Sequence, residues 1–108
     1  MENKQKQMQL RDVQDVLDVI GGRWKGAILA SLCDKGKRFN ALKNDLGLIT
    51  PKVLTKELRY LELNRLVQRE ADSDNAMIYC LTEHGRSLEP VIMTLVEWGR
   101  KHRKEVLC

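Results

Sequence analysis

Lys52, Thr55, Lys56 and Arg59 are the residues of this 108-residue chain whose types and spacing suit a chemical task. At about 100° per residue they fall on one side of a helix, giving a face of cations and a hydroxyl. Such a face complements a polyanion. An arginine can grip guanine O6 and N7 through two hydrogen bonds, each good bidentate contact discriminating between bases by about 1–3 kcal/mol, and lysines neutralise phosphates. The competing reading is an amphipathic helix whose charged side is merely solvated, since exposed Lys and Arg are the rule on protein surfaces. The surroundings of the four residues decide between the two.

They sit in the stretch ITPKVLTKELRYLELNRLVQR, Ile49 to Arg69. Thr50 supplies a side-chain oxygen as N-cap, and Pro51 follows at the first helical position, where its missing N–H costs nothing. Ile49 and Leu54 can close a hydrophobic staple across that start. Leu54, Leu58, Leu61 and Arg65 recur at helical spacing, so the leucines form one narrow stripe opposite the basic face. Thr50 and Arg38 are further candidates for phosphate contacts, which set register without reading sequence. Thr50 can serve as cap and contact together, whereas Arg38 has an equal alternative in an intramolecular pair with a nearby carboxylate.

The length implies one domain with a real core but little room for a self-contained enzyme site. Net charge is +4, and its distribution says more than its sum. Lys35 to Arg69 holds nine cations against three acids, while the rest of the chain is slightly acidic. A basic block inside a near-neutral chain points to a surface facing nucleic acid. No segment reaches the ~18 apolar residues of a membrane span, and the N-terminus lacks an apolar signal core, so a cytoplasmic protein is expected. Cys33, Cys80 and Cys108 show no metal-ligand spacing with each other or with His84 and His102. Cys33 and Cys80 read as small core residues. No nucleophile with a base, carboxylate pair or phosphate loop is evident, so neither catalysis nor a cofactor or metal is expected.

The elements that must position the basic face follow from periodicity. Residues 1–9 are polar and expected to be a flexible tail; residues 10–108 form a single domain. A first helix is expected over about 10–20, ended by Gly21-Gly22, and a second over about 24–33, ended at Asp34-Lys35-Gly36. Lys37-Arg38-Phe39 is too short for a strand of its own but can add one residue pair to a sheet. A third helix spans about 40–46, and the basic helix follows after Gly47. The period then changes to 2: Leu66–Ala71 and Ala76–Leu81 are strands joined by the polar turn Asp72-Ser73-Asp74-Asn75. Thr82 caps a last helix over about 83–104, in which Pro90 predicts a kink or a break near Ser87.

Two helices joined by a short glycine-containing turn, the second basic outside, form a helix-turn-helix over about 40–65, and a hairpin over about 66–82 adds a wing. The fold class is therefore α+β, mostly helical: a winged helix-turn-helix with extra N- and C-terminal helices. Apolar residues on those outer helices exceed what one small core needs, which points to dimerisation through Val13, Leu17, Leu88, Ile92, Leu95 and Trp98.

The segments DVIGGRWKGAIL, KRFNAL, ITPKVLTKELRYLELNRLVQR and YCLTEHGRSLEPVI resemble the HxlR-type branch of winged-helix transcriptional regulators, within the MarR-like superfamily. The resemblance covers about residues 11 to 102. It implies a homodimeric repressor or activator that binds a pseudo-palindromic operator in double-stranded DNA, for which the residues themselves offer Arg38, Thr50, Lys52, Thr55, Lys56, Arg59 and Arg69 as contacts. Many relatives carry a cysteine just ahead of the first helix; here Arg11 lies near that position, so a thiol switch of that kind is not expected. The wing carries Asp72 and Asp74 where a basic or proline-containing wing is common, so wing contacts are expected either from Arg69 at its base or to be weak. Trp24 and Trp98 are read as core or interface aromatics, with an effector pocket for an unidentified small molecule as the alternative. The second functional reading is a winged-helix module that binds protein rather than specific DNA, to which the acidic wing lends support.

Overall fold

A computed structural model describes residues 2–107. Six helices and one hairpin follow in the order α1 (Glu2–Ile20), α2 (Lys25–Leu32), α3 (Phe39–Leu46), α4 (Pro51–Leu63), β1 (Val67–Ala71), β2 (Met77–Leu81), α5 (Glu83–Arg86) and α6 (Glu89–Leu107). Among the described residues no helix is long and apolar enough to cross a membrane.

The core forms where the apolar faces of the short helices meet. Ile28, Leu29 and Leu32 of α2, Leu42 of α3, and Leu54, Leu58 and Leu61 of α4 are fully or almost fully buried, joined by Ile49, Leu66, Leu81 and Ile92. The three α4 leucines are the stripe expected from their spacing. The basic helix also starts as its sequence dictates: Thr50 Oγ1 accepts from the Val53 N–H at 3.2 Å, and Pro51 occupies the first turn. Ile49 and Leu54 are both buried beside that start.

The end of α4 departs from the expected stripe. Arg65 does not continue the helix but adopts φ 59°, the left-handed region. The Leu66 N–H then reaches back to the Leu61 carbonyl and the Arg65 N–H to the Glu62 carbonyl, both at 3.0 Å. That is a Schellman closure, normally built on glycine, with Leu61 and Leu66 as its apolar contact. No glycine marks this stop, so nothing in the local sequence announces it.

The two strands pair antiparallel, from Val67 opposite Leu81 to Ala71 opposite Met77. Asp72 to Asn75 make the turn, with Asn75 at φ 62°. The hairpin base is buried and its tip exposed, as a projecting wing requires. Lys37 adds one bridge to the outer edge of β2, opposite Tyr79. The C-terminal segment breaks near Ser87 into α5 and α6, which leaves Pro90 in the first turn of α6 where its ring is tolerated.

Helix α1 begins at Glu2, so residues 2–9 are helical rather than a loose tail. Glu, Lys, Gln and Met are good helix formers and nothing there breaks the run. The resulting helix leaves Met8, Leu10, Val13, Val16 and Leu17 exposed, and α6 leaves Val91, Leu95, Val96 and Trp98 exposed.

Candidate nucleic-acid interface

Helix α4 puts its three leucines into the core, and this fixes which way its other side points. Lys52, Thr55, Lys56 and Arg59 are all exposed and line one open groove together with Pro51, Tyr60 and Leu63. Among the described residues, Lys52, Lys56 and Arg59 enter no ion pair with a carboxylate. Their charges therefore remain available to an external anion. Tyr60 is a residue that spacing does not single out, yet it fastens α4 in place: its hydroxyl donates to the Asp18 carbonyl at 3.1 Å, and Lys25 Nζ lies 4.4 Å from its ring centroid. A tyrosine next to a basic face gives no sequence signal of that anchoring.

The two other arginine candidates are occupied. Arg38, at the N-cap of α3, donates through Nε and Nη2 to Asp72 Oδ2 at 3.1 and 2.9 Å. The intramolecular alternative for Arg38 is thus realised, with the acid coming from the wing. Arg69 donates through Nε to Glu62 Oε2 at 3.0 Å and so ties the hairpin base to α4. Thr50 stands as the helix cap with its side chain at the exposed start of the basic face.

A second buttress holds α3 to α2. Lys37 Nζ lies 2.7 Å from Asp45 Oδ2 and 3.2 Å from Asp34 Oδ1, and Ser31 Oγ donates to Asp45 Oδ2 at 2.7 Å. These bonds hold the Asp45 carboxyl below its ordinary pKa, chiefly through Lys37 and then Ser31.

The residues assigned to an interface between copies divide into two groups. Val13, Leu17, Leu95 and Trp98 are exposed, whereas Ile92 is only 2 % exposed and belongs to the core, and Leu88 is half-buried against that core at the edge of a cleft. Trp24 also packs against the core, with the Arg23 guanidinium 4.7 Å from its ring centroid. Trp98 instead stacks on His102 at 4.8 Å. A cleft of about 250 Å³ lies between α1 and α5, bordered by Asp15, Val19, Asn64 and His84, but neither tryptophan lines it.

Cys33 and Cys80 are poor thiolates. Burial raises the Cys33 thiol, and burial plus the neighbouring Glu70 carboxylate push Cys80 up to about 11. Cys108 lies outside the described residues. Among the described residues no group of three His, Cys, Asp or Glu side chains could hold a metal ion.

Comparison with known proteins matches this geometry to one lineage. A family model described as HxlR-like helix-turn-helix matches residues 19–106. The HTH-type transcriptional regulator YdeP of Bacillus subtilis is 42% identical over 96 residues, covering 87% of this chain and 75% of that protein. Among solved structures, the redox regulator HypR in its reduced form superposes with a TM-score of 0.79 at 41% identity, over 89% of this chain and 96% of HypR. The quinone-bound YodB of B. subtilis gives 0.72 at 31% identity, over 84% of this chain and 98% of YodB.

Proposed function

Because this chain belongs to the HxlR-like helix-turn-helix family of transcriptional regulators, we propose that it binds double-stranded DNA sequence-specifically, as a homodimer on a pseudo-palindromic operator in the cytoplasm. The observation that carries this reading is the unpaired basic face of α4: Lys52, Lys56 and Arg59 point outward from a helix whose underside is locked into the core. In helix-turn-helix docking the second helix enters the major groove and the first crosses the backbone. Here α4 takes the first role and α3 the second. Arg59 is the base-reading residue and Lys52 and Lys56 are phosphate contacts, with Thr50 and Thr55 as hydroxyl contacts near the helix start.

The exposed apolar residues of α1 and α6 support the dimer. Val13, Leu17, Leu95 and Trp98 lie on helices outside the winged-helix core, and their burial against a second copy recovers about 25 cal/mol per Å² of apolar surface. Arg69 is assigned to the hairpin strut rather than to DNA. The wing tip, with Asp72 and Asp74, is not a phosphate-contacting element. HypR and YodB are solved in forms named for redox state or bound quinone. The raised thiols of Cys33 and Cys80 do not favour transfer of thiol sensing to those positions, and any small-molecule effector has the cleft between α1 and α5 as its candidate seat.

The test is a fluorescence titration of a labelled mixed-sequence duplex, together with sedimentation velocity of the complex. A dimer presenting four phosphate-neutralising lysines, two per protomer, loses roughly a hundredfold in affinity between about 50 and 200 mM salt. Two protomers per duplex and that salt dependence support the reading. Weak, salt-insensitive binding would favour the protein-interaction module instead.

A further inference from the structure

The wing tip and the start of the helix-turn-helix share one arginine. The Lys37–Tyr79 bridge, with backbone bonds of 2.9 and 2.8 Å, lays the chain ahead of α3 along β2 and brings Arg38 to the hairpin. The acceptor it meets is preorganised. Asp72 Oδ1 accepts from the backbone N–H groups of Asp74 and Ala76, both at 2.9 Å, and so is committed to the turn. Asp72 Oδ2 is left for Arg38 and takes two donors of its guanidinium at 3.1 and 2.9 Å. Asp74 Oδ2 adds a longer contact to Nη2 at 3.5 Å.

The Nε and Nη2 edge of a guanidinium is the donor pair that arginine offers to a phosphate, and here both of its N–H groups are taken by one carboxylate oxygen. Arg38 caps the helix that crosses the DNA backbone in helix-turn-helix docking, and its side chain is about half exposed. We propose that Asp72 is an internal stand-in for a DNA phosphate, occupying Arg38 in the free protein so that a duplex must displace the wing tip to gain that contact. The inference rests on the proposed DNA-binding reading of α4. Two carboxylates against one guanidinium leave the local charge at minus one, so loose backbone association is opposed and a fully seated site is favoured. Asp72 thereby sets how strongly the duplex backbone is held, acting through Arg38. The turn N–H groups, Ala76 first, and Arg38 hold its carboxyl below the ordinary value, which keeps it charged at neutral pH.

The experiment measures affinity and salt slope for a labelled mixed-sequence duplex with wild type, Asp72→Asn, Arg38→Ala and the double variant. The Asp72→Asn substitution keeps a side-chain oxygen for the turn while removing the charge that holds Arg38. This variant is expected to bind at least fivefold more tightly at about 0.1 M salt, with the slope steeper by about one per protomer, the signature of one added phosphate contact. Arg38→Ala alone is expected to leave the slope nearly unchanged, because that cation is already neutralised, yet to abolish the gain when added to Asp72→Asn. An Asp72→Asn protein that binds equally or less tightly would overturn the proposal, as would a full unit of slope lost by Arg38→Ala alone. If Asp72→Asn loses the hairpin, Asp74→Asn leaves the turn cap intact and is expected to gain about twofold by the same logic; no gain there would likewise overturn it. Wild-type binding that is insensitive to salt and to Arg59→Ala would instead remove the DNA-binding reading beneath it.

Discussion

Arg69 Nε lies 3.0 Å from Glu62 Oε2, so the wing is strapped to α4 by an arginine that sequence alone suggests for DNA. The Arg69 side chain is 59 % exposed, and an ion pair that open contributes about 0–1 kcal/mol. Arg69→Ala is therefore expected to lower the thermal midpoint only slightly and to leave the salt slope of duplex binding within about half a unit of wild type. A loss of one full unit would return Arg69 to the phosphate-contacting set.

Arg65 holds its left-handed conformation without glycine's freedom, so Arg65→Gly should stabilise the protein. The conformational penalty for an L-residue there is about 1–2 kcal/mol, partly offset by glycine's larger unfolded-state entropy, for a net gain of about 0.5–1 kcal/mol. Urea unfolding measures this directly. A destabilised variant would show that the Arg65 side chain makes contacts worth more than the strain.

The link between α2 and α3 should weaken in acid. Lys37 and Ser31 depress the Asp45 carboxyl in the folded chain, whereas an unfolded Asp titrates at about 3.9. A depressed folded value means the contribution is fully present above the unfolded pKa and is lost as pH falls through the folded one. The thermal midpoint of wild type should thus drop more steeply below about pH 4 than that of Asp45→Asn. Parallel curves for the two proteins would remove Asp45 from the acid response.

Cys80 and Cys33 should resist alkylation. With the Cys80 thiol pushed up to about 11 by burial and Glu70, the nucleophilic thiolate is scarce at neutral pH. Peptide mapping after iodoacetamide treatment at about pH 8 should show both sites labelled at least ~10-fold more slowly in the native protein than in urea. Native labelling at the denatured rate would contradict this and reopen thiol sensing at these positions.

Leu17 and Trp98 test the dimer. Replacing either by Glu puts a charge into the apolar surface proposed to meet a second copy, and an interface loss of about 2 kcal/mol or more weakens the dimer at least ~30-fold. Sedimentation velocity should find monomers at concentrations where wild type is dimeric. Unchanged dimers from both variants would place the interface elsewhere.

Local signals carried most of the fold. The Thr50-Pro51 start, the leucine stripe of α4, the period-2 strands and the break ahead of Pro90 each rest on residues whose own chemistry dictates the outcome. Even the Lys37 edge pair was legible from its place before α3. What was not legible depends on distant partners. Arg69 reads as a free cation, and Arg38 as equally free or paired, until the fold brings Glu62 and Asp72 to them. Arg65 stops α4 without a glycine. Ile92 reads as an outward apolar position of the last helix until the core is seen to take it in. The early start of α1 is a matter of competing weak propensities over residues 2–9, where polarity alone suggests a loose tail.

The most direct test of the central claim is the ratio of affinities for a duplex selected from a randomised pool by wild type and for the unselected pool, compared between wild type and Arg59→Ala. If α4 reads the major groove, Arg59→Ala loses about 1–3 kcal/mol on the selected duplex, up to ~100-fold, and much less on the pool, so the ratio collapses. An unchanged ratio would mean that this helix does not read sequence, and its basic face would be solvated surface.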